Sequence, residues 1–183
     1  MKTRGANTTK CVFFDRDGIV NRSPGPGYVE RWEDFHLLPE FVAILKIVRR
    51  LGFHAVIVTN QRGVALGKMT AETVEDIHAR LRALLRHEHG LELLDILYCP
   101  HDRDACECRK PKPGMLLEAA RRHRLHLASS WMVGDSASDV EAGRSAGCRT
   151  IRVGDGTGGA ESDVRVKDMA ALKSSIVRIL GAD

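Results

Sequence analysis

Asp15 and Asp17 stand two residues apart in Asp15-Arg16-Asp17-Gly18, directly after the apolar run Cys11-Val12-Phe13-Phe14. A carboxylate at the end of a buried strand is costly to desolvate unless it is paired, hydrogen-bonded or bound to metal. Phosphoryl transfer would give both acids a task. Asp15 is the candidate nucleophile, attacking a phosphate monoester to form an aspartyl-phosphate that water then hydrolyses. Asp17 is the candidate general acid and base, protonating the leaving oxygen and later taking a proton from that water. Nucleophile and substrate are both anionic, so the chemistry calls for a shared divalent cation. Mg²⁺ prefers oxygen ligands, and the expected set is Asp15, Asp17 and Asp135. Thr59 and a lysine, Lys110 or Lys112, would hold the non-bridging oxygens as charge builds.

The elements around these residues alternate between strand and helix. Cys11 to Asp15, Ala55 to Thr59, Leu94 to Tyr98, Trp131 to Gly134 and Arg149 to Val153 read as buried strands. Phe41, Ile44, Leu45, Val48 and Leu51 recur at helical spacing, and Gly52 ends that helix. Thr70 is the expected N-cap of a helix running to about His89, with Val74, Ile77, Leu81 and Leu84 or Leu85 inward. Pro113 suits the first turn of a helix ending near Arg124. Asp139 to Ala146 and Met169 to Leu180 are the last two helices. Such alternation predicts an α/β fold, a doubly wound, mostly parallel sheet. Ligands of such sheets bind beyond the carboxyl ends of the strands. Three strands end there in polar residues: Asp15-Arg16-Asp17-Gly18, Thr59-Asn60-Gln61 and Gly134-Asp135. Asp139 follows four residues later, to anchor the helix start or a metal-bound water. An Asp-Gly pair also marks turns. The ordered series D-x-D-G, T-N-Q, K-P and G-D-x-x-x-D makes coincidence a poor account.

Three of the five cysteines fall in Cys99-Pro-His101-Asp-Arg-Asp-Ala-Cys106-Glu-Cys108. Three thiolates and one imidazole, Cys99, His101, Cys106 and Cys108, make a closed tetrahedral set for structural Zn²⁺. With every position filled by protein, such an ion folds the loop and leaves no site for substrate. Free thiols in a loop are the plainer alternative. Cys11 and Cys148 read as core thiols, and His78, His87 and His123 as solvated helix faces.

The ordered series Asp15 to Gly18, Thr59-Asn60-Gln61, Lys110-Pro111 and Gly134-Asp135 with Asp139 resembles the haloacid dehalogenase superfamily. The resemblance spans about Cys11 to Val153. It implies a Rossmann-like fold with the Asp15 strand central, a minimal cap and a zinc-binding loop at 99–108. It also implies Asp15 as nucleophile, Asp17 as acid and base, Thr59 and Lys110 as phosphoryl clamps, and Asp135 as metal ligand. Within the superfamily the zinc-loop branch acts on heptose 1,7-bisphosphates or histidinol phosphate, and this chain looks like the heptose members through Asp15 to Asn21, Gly27 to Val29, Val58 to Lys68 and Cys108 to Leu116 taken together. That likeness implies removal of the 7-phosphate of D-glycero-D-manno-heptose 1,7-bisphosphate. The implied substrate contacts are Gly27, Tyr28, Asn60, Gln61, Arg62 and Arg109. The four-residue spacing from His101 to Cys106 is nearer the histidinol-phosphate branch, and Ser136 stands where some members carry lysine.

The 183 residues suit a single domain, and the 28% charged and 43% hydrophobic content is that of an ordinary globular protein. The formal charge of +4 is dispersed, without the dense basic stripe of a nucleic-acid binder. No apolar run reaches the length of a membrane helix, and Met1 to Lys10 has no signal-peptide core. A cytoplasmic monomer that binds a small phosphorylated sugar, with no nucleic acid or membrane partner, is therefore expected. A phosphometabolite-binding module without turnover and a zinc-stabilised interaction protein are the competing classes. Neither explains two carboxylates at Asp15 and Asp17.

Overall fold

The computed structural model describes residues 9–156 and 160–181. The glycine-rich stretch 154–159 reads as a surface loop from its composition; its residues 157–159, together with 1–8 and 182–183, lie outside the described residues. Six strands form one parallel sheet: β1 (Cys11–Phe14), β2 (His54–Asn60), β3 (Asp95–Cys99), β4 (Trp131–Gly134), β5 (Arg149–Val153) and β6 (Val164–Val166). Their order is β3-β2-β1-β4-β5-β6, with every neighbouring pair parallel. The chain winds outward in both directions from β1, so the strand order reverses beside Asp15, where such sheets open a crevice.

Parallel strands covered on both faces must be apolar on both, and β1 is fully buried along its length. Val12 and Phe14 point into one core with α1 (Pro39–Arg50), α2 (Ala71–His89) and α5 (Met169–Gly181). Cys11 and Phe13 point into the other with α3 (Gly114–His123) and α4 (Ala137–Ser145). The period-two alternation of one short run thus serves two helical layers. Each such side chain contributes about 1.5–3 kcal/mol by leaving water. Cys11 and Cys148 are buried core thiols, as expected.

Several elements refine the sequence reading. Thr70 caps α2 by accepting from the Thr73 amide, and Leu85 rather than Leu84 is buried. Strand β3 runs one residue further than expected and carries Cys99 at its end. Pro113 precedes α3 as its cap residue, and α4 begins at Ala137 instead of Asp139. The short edge strand β6 was not foreseen; three residues between loops offer too little periodicity to read. His78 is a correction. It lies on the buried side of α2, 6% exposed, where a solvated face was expected. His87 is exposed, and His123 bonds Asp95 at 2.8 Å.

Candidate active site

The ends of β1, β2 and β4 meet at one cleft of about 190 Å³, lined by Asp15, Asp17, Thr59, Asn60, Lys110, Asp135, Ser136, Ser138 and Asp139. Main-chain bonds hold the strand ends together there. The Asp15 amide donates to Val133 of β4, and the Gln61 amide to Cys99 of β3. Asp15 follows a strand paired on both sides, with β2 and with β4. Two glycines make the close packing possible. Gly18 has φ of +91°, and any Cβ on it would collide with the Asp135 carboxylate. A Cβ on Gly134 would likewise strike the Asp139 side chain.

Lys110 Nζ lies 2.7 Å from Asp15 Oδ1, 2.6 Å from Asp139 Oδ1 and 2.9 Å from the Val58 carbonyl. Lys112 instead donates to the Cys106 carbonyl and Glu107, so the two lysines are separated by geometry. Asn60 holds Lys110 in register: its Oδ1 accepts from the Lys110 amide and its Nδ2 donates to the Lys110 carbonyl, both at 3.0 Å. Asp139 belongs to the start of α4 as well. Its Oδ2 accepts from the Ser136 amide and hydroxyl, and the Ser136 hydroxyl oxygen accepts from the Asp139 amide, a reciprocal helix cap.

One ammonium faces three carboxylates here. Burial pushes the Asp15 carboxyl up to about 7, opposed by Lys110 and reinforced by Asp139. Burial and Asp139 push Asp135 up to about 6. Lys110, flanked by Asp139 and Asp15 against the cost of burial, stays firmly cationic. Carboxylate oxygens of Asp15, Asp135 and Asp139 lie within 4.8 Å of one another. This excess of negative charge, all on hard oxygen donors, fits a divalent cation such as Mg²⁺.

Asp17 is held by donors. Arg16 Nη2 donates to both of its oxygens at 3.0 Å and Nε to Oδ1 at 3.2 Å; Asn21 donates to Oδ1 at 3.0 Å and Gln61 to Oδ2 at 3.1 Å. Gln61 Nε2 also donates to Thr59 Oγ1 at 2.8 Å. The sequence reading passed over Arg16 and Asn21. An arginine next to a reactive acid and an asparagine four residues on were the available signal.

A second cleft, of about 320 Å³, adjoins the first and shares Asn60, Lys110 and Ser138 with it. Arg103, Arg109 and Lys112 also line it, and Arg109 Nη1 is buried without a hydrogen-bond partner among the described residues. Of the six expected substrate contacts, the structure brings Asn60 and Arg109 to these clefts. Gln61 is buried and engaged with Asp17 and Thr59, and Arg62 is paired with Asp102. Exposed Gly27 and half-buried Tyr28 line neither cleft; the Tyr28 ring packs beside Gly63.

Directly ahead of Arg109 in the chain, the side chains of Cys99, His101, Cys106 and Cys108 converge. Cys99 Sγ is 3.4 Å from Cys106 Sγ and 3.6 Å from His101 Nδ1; Cys108 Sγ is 3.2 Å from Cys106 Sγ and 3.3 Å from His101 Nδ1. Four ligand atoms drawn to one point, three of them sulfur, fit a tetrahedral metal.

This fold with a lysine-clamped aspartate at the strand-order reversal defines a haloacid dehalogenase-like hydrolase. A family model described as "HAD-hyrolase-like" matches residues 107–173. The chain is 36% identical to the D-glycero-beta-D-manno-heptose-1,7-bisphosphate 7-phosphatase of Pseudomonas putida, covering 92% of this chain and 99% of that one. It is 38% identical to the corresponding alpha-heptose enzyme of Mycobacterium bovis, over 84% of each. A crystal structure of D,D-heptose 1,7-bisphosphate phosphatase from B. bronchiseptica, complexed with magnesium and phosphate, superposes with a TM-score of 0.83 at 32% identity, covering 93% of this chain and 99% of that one. The chain belongs to the heptose-1,7-bisphosphate 7-phosphatase family of haloacid dehalogenase-like phosphomonoester hydrolases. None of its described helices is long and apolar enough to cross a membrane.

Proposed function

We propose that this protein hydrolyses the 7-phosphate of D-glycero-D-manno-heptose 1,7-bisphosphate through an aspartyl-phosphate on Asp15. The reading is carried by the junction of two clefts: a lysine-held nucleophile in one, and a buried, unpartnered guanidinium nitrogen of Arg109 in the other. A bisphosphate has one anion for each. The relatives' names supply the sugar.

Asp15 attacks phosphorus as the bond to the sugar oxygen breaks. Asp17 gives that oxygen its proton, so the sugar leaves as a neutral alcohol. Asp17 then takes a proton from water, which attacks phosphorus and releases Asp15 and inorganic phosphate. Lys110 neutralises charge on the non-bridging oxygens, and Thr59 Oγ1, oriented by Gln61, donates to one of them. Asp15 and Asp135 are the proposed side-chain ligands of Mg²⁺, with Asp139 close behind; the Asp17 carboxylate, expected in the set, is engaged by Arg16, Asn21 and Gln61 and is kept for proton transfer. When bound, the ion lowers the repulsion between carboxylate and phosphate. Arg109 holds the distal phosphate, a task that suits a planar guanidinium. Zn²⁺ held by Cys99, His101, Cys106 and Cys108 is structural and fixes the loop that presents Arg109.

The test is phosphate release with magnesium, comparing heptose 1,7-bisphosphate with histidinol phosphate, in wild type and in Asp15→Asn. The bisphosphate should show the higher kcat/KM, and the variant should fold and release none. A preference for histidinol phosphate would overturn the substrate. Full turnover by the variant would overturn the mechanism.

A further inference from the structure

Arg16 is the largest fully buried side chain among the described residues. A buried guanidinium is costly unless its charge is matched and its donors are used. Among the described residues its one ion-pair partner is Asp17, whose side chain remains 25% exposed toward the cleft. The other side of the guanidinium meets His78, with Nη1 3.4 Å from Nε2. A guanidinium can only donate, so Nε2 accepts and His78 is neutral with its proton on Nδ1. Burial and the neighbouring Arg16 charge, which push His78 down to about 3, agree with that assignment. The His78 ring is packed edge-on against Tyr98, at 5.7 Å between centroids. The chain at Arg16 is fixed too, because its carbonyl accepts from the amides of Val20 and Asn21 at 2.8 and 3.1 Å.

The arrangement is directional. A rigid backbone and a neutral acceptor behind Arg16 leave its charge nowhere to turn except toward Asp17. Nε and Nη2 meet the carboxylate in a fork whose plane sets the plane of the carboxylate. A core-filling residue would need neither the fork nor a neutral histidine behind it.

We infer that Arg16, braced by His78, is a positioning residue that orients the Asp17 carboxylate at the cleft for proton delivery to the leaving oxygen. The inference rests on the proposed role of Asp17 as acid and base. Arg16 lines neither cleft and acts only through Asp17.

Leaving groups of different acidity make this measurable. An alkyl phosphate such as a sugar phosphate needs its leaving oxygen protonated, whereas the p-nitrophenolate of p-nitrophenyl phosphate departs unaided. Both substrates would be assayed with wild type, Arg16→Met, Arg16→Lys and Asp17→Asn. Arg16→Met should lose about 10- to 100-fold in kcat/KM on the alkyl ester, part of the ~10²–10⁴ that general acid catalysis supplies; kcat/KM reports departure of the leaving group and leaves out the hydrolysis of the aspartyl-phosphate, where Asp17 serves both substrates alike. Its loss on p-nitrophenyl phosphate should be several-fold smaller. Arg16→Lys, with the charge but not the fork, should recover part of the alkyl activity. Equal losses on both substrates would mark Arg16 as a structural residue and overturn the inference; so would unchanged or raised alkyl activity. Should Arg16→Met fail to fold, Arg16→Lys decides by the same ratio. Asp17→Asn separates the two levels. If it shows the alkyl-selective loss and the Arg16 variants do not, the positioning role alone is wrong. If Asp17→Asn shows none, the acid–base role falls and this inference with it.

Discussion

Lys110 and Asp139 form an ion pair of 2.6 Å between side chains that are 2% and 1% exposed. Asp139 thus spans two structures, capping α4 with one oxygen and holding the Lys110 ammonium with the other. Lys110 reaches Asp15 from an anchored position, so its charge need not reorganise when phosphate arrives. Asp139→Asn keeps an oxygen for the helix cap and removes the charge. We expect kcat to fall roughly 10- to 100-fold with KM little changed, as for loss of a preorganised electrostatic contact. Steady-state kinetics with intact secondary structure by circular dichroism checks it. A kcat within twofold of wild type would show that Lys110 does not depend on Asp139.

Magnesium and protons should compete for the same oxygens. In the metal-free protein Asp15 is raised to about 7 and Asp135 to about 6, above the ordinary carboxylate value near 3.8. Groups raised in the folded state contribute stability that is present below the unfolded value and lost as pH rises through the folded one. From pH 4 to about 7 these two therefore oppose folding increasingly. A divalent ion removes that penalty, so the rise in Tm on adding magnesium should be larger at pH 8 than at pH 5.5. Thermal denaturation with and without magnesium at both values measures it. A shift as large in acid would be inconsistent with binding to these carboxylates.

His78 gives a dependence of opposite sign. Its folded value is lowered to about 3 by burial first and by Arg16 second, against 6.5 for the free side chain. Its contribution is fully present above 6.5 and is lost as pH falls toward 3, because only the unfolded chain takes the proton. The slope is at most about 1.4 kcal/mol per pH unit. Gln at this position cannot titrate. The stability difference between wild type and His78→Gln should therefore shift by about 1–2 kcal/mol against wild type from pH 7.5 to pH 5. Urea unfolding at the two values decides; parallel pH dependences would mean that His78 is protonated normally.

The cysteine cluster should hold one zinc per chain. Protein purified without chelator is expected to carry it by elemental analysis, and Cys106→Ser should lower both zinc content and Tm. KM for the bisphosphate should rise more than kcat falls, because Arg109 follows the loop while Asn60 of β2 still holds Lys110. A zinc ratio near zero in undamaged protein would refute the site.

Much of the candidate site was readable from residue order alone. Asp15, Thr59 and Asp135 stand where apolar runs stop, and runs that long in an alternating α/β pattern can only be strands of a buried parallel sheet. The C-x-H-x4-C-x-C spacing was equally local. The partners of Asp17 were less legible. Asn60 and Gln61 read as substrate contacts; Asn60, at both clefts, also braces Lys110 fifty residues away, and Gln61 bonds Asp17 and Thr59. An amide that can donate and accept carries no mark of which neighbour it will meet. His78 was misread because polarity on a helix predicts solvent unless a buried cation lies opposite.

The sequence by itself determined the fold class, the strand-end acids and the Cys/His donor set at 99–108, since each depends on hydrophobic period or on spacing within a short segment. Only the tertiary structure decided that Lys110 and not Lys112 meets Asp15, that Asp139 joins them, and that Arg16 lies buried between Asp17 and His78. Those choices depend on which strand ends are adjacent in the sheet. That adjacency is set by burial of both faces of β1, a property of the whole packed chain that no local run encodes.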